Sequence, residues 1–195
     1  MGDSLKLIAA VLITCVVAAT GLTLTYEVAA PRIAEQDRLA EERSLKAVLP
    51  DADGFEMLED AAVLERATAV ADPADLAAIY RATEQGAASG WAIKLSSRGY
   101  GGPMQLVIGL DGSGLVSGVS ILTMNETPGL GTKVMTEAWF MEQFSTLPGG
   151  FTDADVRGLD SISGVTRSSS GIKNGVAAAG RIYAAVLAEG EGGAQ

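Results

Sequence analysis

Asp160-Ser161-Ile162-Ser163-Gly164-Val165-Thr166-Arg167-Ser168-Ser169-Ser170-Gly171 runs without a break into an apolar-periodic segment at 172–187. Ile172, Val176, Ala179, Tyr183 and Val186 recur there at helical spacing, which predicts a helix that buries one stripe. Its first free amides are then expected near residues 168–171, where they and the helix dipole favour an anion. The same residues also read as an ordinary serine-capped helix, because Ser and Thr are preferred caps.

Toward the amino terminus, β-rich runs occupy 79–83, 91–95, 104–110 and 115–122. Asp111-Gly112-Ser113-Gly114 joins two of them with the chemistry of a hairpin loop, so an antiparallel sheet is expected. The glycines 112, 114 and 118 lie between strands with no following helix, which excludes a dinucleotide fingerprint. Gly131-Thr132-Lys133 likewise lacks the order and setting of a P-loop. After the last strand comes Glu126-Thr127-Pro128-Gly129-Leu130-Gly131-Thr132-Lys133, then a helix expected over about 136–144. Pro128 and Gly129 suit a tight turn, and on turn chemistry alone this is a plain strand-to-helix connection.

Residues 7–26 carry no charge and are bounded by Lys6 and Glu27. A helix of that length covers the roughly 30 Å hydrocarbon core of a bilayer, whereas a secretory apolar region runs about 7–15 residues. One membrane span is therefore expected, with cleavage after the small pair Ala29-Ala30 as the competing reading. Lys6 precedes the span while Arg32 and Arg38 follow it, so charge does not set its orientation. Beyond the span, the segment from Pro31 to Leu49 is charged and helix-forming. Pro50-Asp51-Ala52-Asp53-Gly54 breaks it, reading as a turn because the further ligands of a calcium loop do not follow. The stretch 55–76 is acidic and alanine-rich, with weak periodicity.

The chain has 195 residues and a formal charge of −10, a balance that argues against a nucleic-acid partner. It contains no His, and its single Cys, Cys15, lies in the expected span. Ser-His-Asp and Cys-His catalysis, thiolate or imidazole metal sites and an internal disulfide are thereby excluded. No catalytic or metal-ligating set is expected. The fold class is α+β: an N-terminal tail and transmembrane helix over 1–30, a helical lead-in over 31–78, an antiparallel-sheet domain flanked by helices over 79–188 and a tail over 189–195.

Asp160, Ser163, Gly164 and Thr166 resemble the Asp-x-x-Ser-Gly-Ala-Thr signature by which a flavin transferase joins FMN to a threonine hydroxyl as a phosphodiester. Val165 departs from the family's alanine, adding two methyl groups beside the target. Tyr100-Gly101-Gly102-Pro103, the hairpin strands, Glu126 to Gly131, Trp139, Phe144 and the threonine motif are similar, in that order, to the G subunit of the Rnf ion-translocating electron-transport complex. The likeness runs over about 100–187. Met124 stands where relatives often carry His.

The resemblance implies a covalent-FMN domain on a single-pass protein of the bacterial inner membrane, with the soluble domain on the periplasmic side. It implies electron relay in a ferredoxin:NAD ion-translocating complex, with the other subunits as partners and the flavin transferase acting during maturation. Thr166 would carry the FMN, with Ser163 and Gly164 positioning it. Glu126, Thr127, Gly129, Leu130, Gly131 and Thr132 would lie against the flavin. Asp160 would serve the transferase reaction, and Lys133 is either a counter-charge to phosphate or a solvated lysine. Two alternatives stay open: the FMN subunit of the sodium-translocating NADH:quinone reductase, and a flavin-free, membrane-anchored assembly protein.

Overall fold

The structure, a computed structural model, describes residues 2–126 and 131–188. It divides into two compact units at residues 41 and 42. Helix α1, Gly2–Val48, is continuous, with Pro31 inside it. It is long and apolar enough to cross a membrane. Leu7, Val11, Leu12, Val16, Leu22 and Leu24 are all exposed. The hydroxyls of Thr14, Thr20, Thr23 and Thr25 donate to carbonyls four residues earlier, which leaves their donors satisfied in an apolar setting. The one N-terminal apolar helix fits a single-pass anchor.

In the second unit, strands β1 (Gly54–Met57), β2 (Asp75–Glu84), β3 (Ala87–Arg98), β4 (Pro103–Asp111) and β5 (Val116–Thr123) form a sheet. The order is β1-β2-β3-β4-β5, antiparallel throughout. Period-2 alternation sends Ile79, Ile93, Leu95, Leu106, Ile108 and Leu110 into the main core, while Ala82, Ala92 and Val107 pack on the other face with Leu45, Val48 and Leu49 from the end of α1. The β4–β5 hairpin turns where expected: Asp111 Oδ1 accepts from the backbone of Ser113 and Leu115, and Gly114 takes a φ of 79°.

Helix α2 (Ala61–Ala71) is capped by Asp60, whose carboxylate accepts from Ala62 and Val63. With β1 it comes from the stretch 55–76 that gave no firm periodicity. Residues 54–78 thus contribute to the sheet and its cover rather than to a helical lead-in. The helix expected over 136–144 is broken into α3 (Lys133–Thr136), α4 (Ala138–Glu142) and a 3-10 turn at Gln143–Thr146. The break falls at Glu137, which is extended at φ −87° and ψ 91°. Phe140 and Phe144 remain in one edge-on pair in the core. Helix α5 (Asp153–Gly158) begins with a capping box in which the Thr152 N–H, then its hydroxyl, hold the Asp155 carboxyl below its usual range. That contribution is present above the unfolded carboxyl's pKa and is lost as pH falls through the lowered native one.

Helix α6 (Thr166–Ile182), continued by a π-helical turn at Tyr183–Leu187, lies against β3 and β4. Small residues let it approach closely. A Cβ on Gly171 would stand 2.6 Å from the Arg98 carbonyl and 2.7 Å from Met104 Cε. The buried Ser97 hydroxyl donates to the Gly171 carbonyl at 2.7 Å, so the helix is bonded as well as packed to β3. Gly171→Ala gains about 1 kcal/mol of helix propensity but meets backbone, and overpacking typically costs about 1–3 kcal/mol. Net destabilisation is expected in a denaturant titration. Gly158→Ala, where an added Cβ meets nothing within 4 Å, should be neutral or stabilising.

Candidate functional site

The amino end of α6 is shaped by a turn and a buried serine. Val165 N–H donates to the Ile162 carbonyl at 3.1 Å, closing a turn whose Gly164 has a φ of 83°, a conformation open to glycine at little cost. Ser169 pins this turn: its hydroxyl donates to the Val165 carbonyl at 3.1 Å and accepts from Ile162 N–H at 3.3 Å. Val165 is 5% exposed and belongs to the main core. The two methyl groups that it adds beside the target are thus largely taken up by the core.

Thr166 is the first residue of α6, and its neighbour Val165, as N-cap, supplies no side-chain bond. The helix thus starts earlier than the expected 168–171. Ser168, Ser169 and Gly171 lie inside it and are buried. The first-turn amides free for an acceptor are those of Thr166, Arg167 and Ser168, since Ser169 N–H already bonds Val165 O. Thr166 and Ser163 are both exposed. Upstream, the Gln143 amide holds the backbone of Asp160 from both sides, accepting from its N–H and donating to its carbonyl. This leaves the exposed Asp160 side chain outside that bonding.

Glu126 enters from the end of the sheet. Its Oε1 accepts from Tyr100 N–H at 2.8 Å, whereas Oε2 is buried and has no partner among the described residues. Glycines on both sides make room for it. Added Cβ atoms on Gly99 and Gly131 would each lie 2.4 Å from a Glu126 carboxylate oxygen, and one on Gly101 would lie 1.8 Å from the Asn125 carbonyl. The turn at 99–102 is closed by Gly99 N–H to Gly102 O, so one glycine-rich turn seats the carboxylate.

Those two regions meet. A pocket of about 240 Å³ is lined by Tyr100, Glu126 and Gly131 from the first region and by Gly164, Val165, Thr166, Arg167 and Ser168 from the second. Of the expected site residues, the structure brings Thr166, Gly164, Glu126 and Gly131 together. Ser163 sits one residue outside this lining in the same turn. Thr132 and Lys133, at the start of α3, also stand outside it, and the cation at the pocket is Arg167. Thr127, Gly129 and Leu130, with Pro128, lie outside the described residues. Tyr100, Arg167 and Ser168 were not singled out as site residues by sequence. Tyr100 was visible only as part of Tyr100-Gly101-Gly102-Pro103, and nothing in the serine run distinguishes Ser168 from its neighbours.

Residues 99–180 match the FMN-binding domain family. Over 178 residues the chain is 29% identical to the G subunit of the Na⁺-translocating ferredoxin:NAD⁺ oxidoreductase complex of Acetobacterium woodii, covering 86% of this chain and 85% of that protein. It is 32% identical over 136 residues to the G subunit of the ion-translocating oxidoreductase complex of Aliivibrio fischeri, covering 69% of this chain and 65% of that one. With the corresponding G subunit of Stutzerimonas stutzeri it shares 34% identity over 148 residues, 73% of this chain and 61% of that protein. The chain thus spans slightly less than two thirds of the length of these last two relatives.

The glycine seat generates a prediction of its own. Gly101→Ala sets a Cβ against the backbone of Asn125, which has no flexible end to move aside. The turn at 99–102 must then separate from the 125–126 segment and open the Tyr100-to-Glu126 bond. Amide hydrogen exchange should show lost protection at Tyr100 while strand β3 keeps its own.

Proposed function

From the membership of residues 99–180 in the FMN-binding domain family, in a chain similar to G subunits of ion-translocating oxidoreductase complexes, we propose that this protein is a membrane-anchored electron-relay subunit carrying one FMN esterified to Thr166. The observation that carries the reading is the meeting of Thr166 with Glu126 and Gly131 around one pocket. Thr166 is suited to attachment because it is exposed at the first position of α6. Its hydroxyl oxygen would form the bond to phosphorus as it loses its proton and the flavin donor's phosphorus releases its leaving group, so the modified chain gains FMN less one water.

The donor set fits a phosphate and the acceptor set fits a polar flavin edge. First-turn amides of α6 and the Arg167 guanidinium favour the anion, while the orphaned Glu126 Oε2 can accept from an N–H or O–H of the ligand. The glycines around Glu126 permit close backbone approach. When bound, the flavin supplies one- and two-electron transfer, and the protein holds, orients and tunes it. Ser163 and Gly164 shape the attachment turn, and Glu126 and Gly131 lie against the ring in this reading. Asp160 serves the transferase that matures the protein. The other subunits of a ferredoxin:NAD-type complex are its electron partners, and the soluble domain stands on the periplasmic side of the bacterial inner membrane.

Intact mass of the chain co-expressed with a flavin transferase should show one FMN-derived adduct, absent in Thr166→Ala. Because Thr166 is exposed and is not the N-cap of α6, that variant should unfold within about 0.5 kcal/mol of wild type. An unmodified wild-type mass under those conditions would sink the attachment. For topology, protease added to spheroplasts should digest the domain that follows α1. Its protection in sealed right-side-out cells would place it on the cytoplasmic side.

A further inference from the structure

Ser168 and Ser169 are equally buried, 1% and 0% exposed, yet they are bonded very differently. Ser169 donates to Val165 O and accepts from Ile162 N–H. Ser168 Oγ has no partner among the described residues, although a buried hydroxyl that stays unbonded costs free energy. It does not bond back to the carbonyl four residues earlier, the usual recourse of a helical serine. Its residue is one of those that line the pocket with Thr166, the hydroxyl itself enclosed beneath that surface. Ser168 is the third residue of α6, so its hydroxyl stands among the first-turn amides and next to Arg167.

We infer that Ser168 is a positioning donor for the phosphate at Thr166, its Oγ–H donating to a non-bridging phosphate oxygen; the inference rests on the FMN reading above. The two hydroxyls divide the work by exposure. Thr166, at the surface, is reached by the transferase and becomes the ester, whereas Ser168, enclosed, keeps its proton and only orients the product. A phosphodiester at Thr166 retains one negative charge, and a hydrogen bond to a charged group is stronger than one between neutral groups. Ser168 also gives the phosphate a direction that the amides and a mobile guanidinium do not fix by themselves, because its rotamer is confined by burial.

The test uses the full chain in detergent, as wild type, Ser168→Ala and Ser168→Thr, each prepared with and without flavin transferase. Unloaded Ser168→Ala should unfold at or above the wild-type temperature, since it loses an orphaned donor. Loading should stabilise it less than wild type, by the equivalent of about tenfold in a binding constant, the order expected for one charged hydrogen bond. The ³¹P resonance of the folded, loaded Ala variant should move toward its position in the denatured chain, and Ser168→Thr should keep the wild-type position. A folded Ala variant that takes no adduct while the Thr variant does would place the hydroxyl in the attachment reaction rather than in holding its product, and would overturn the inference. Equal loading-dependent stabilisation and an unmoved ³¹P resonance in Ser168→Ala would overturn the inference while leaving the FMN reading intact. Failure of unloaded Ser168→Ala to fold would make the hydroxyl structural and overturn it too. A wild-type chain without adduct would remove the FMN reading, and the inference with it.

Discussion

The close seating of α6 on β3 and β4 is the constraint from which the site follows. Gly171 allows the helix backbone to come within reach of the Arg98 carbonyl, and the Ser97 hydroxyl locks that approach with a buried bond to the Gly171 carbonyl. Arg98 ends β3, and the turn at 99–102 begins immediately beyond it. The first turn of α6 is therefore delivered to the same end of the sheet as Tyr100 and Glu126. Were the helix to ride a methyl group higher, the residues of its first turn would shift relative to Tyr100 and Glu126. Interiors at crystal-like density transmit such displacements rather than absorbing them.

Polar satisfaction around the pocket is uneven, and the unevenness is informative. The turn before α6 is fully tied, through Val165 N–H to Ile162 O and through both bonding capacities of Ser169. Two buried oxygens at the pocket, Glu126 Oε2 and Ser168 Oγ, are left open. A native core pairs nearly all of its buried polar atoms. Two orphans on residues that line one cavity thus mark a surface shaped for something other than the chain itself. Glu126 brings an acceptor to the lining while Ser168 and the first-turn amides of α6 bring donors, so the cavity offers an unsymmetrical ligand two kinds of partner.

Much of this was legible in the chain because it rests on periodicity. The strands around Ile79, Ile93, Leu106 and Val119 announce themselves by alternation, and Ile172, Val176 and Ala179 announce α6. Short elements did not: β1 is four residues long and buries little, so its pairing with β2 is a tertiary fact. The start of α6 was misplaced for a related reason. Ser168-Ser169-Ser170-Gly171 is a poor helix by propensity and a good cap by preference, yet packing on the sheet carries helical structure through it. The meeting of Thr166 with Glu126 was expected from family resemblance. Tyr100 and Ser168 escaped notice because their parts are set by burial and by partners far along the chain, and burial of one serine among three has no periodic signature.

Val165 is the point from which the threonine turn hangs. Its side chain is fixed in the core while its carbonyl receives the Ser169 bond, so the turn's shape is borrowed from the domain beneath it. A short segment spanning 160–171 moved into an unrelated protein would bring the lettering of the motif without that anchorage. The motif is in this sense portable as text but not as shape, and a transplant meant to present Thr166 in the same way would need an apolar socket under Val165 and a serine in register behind it.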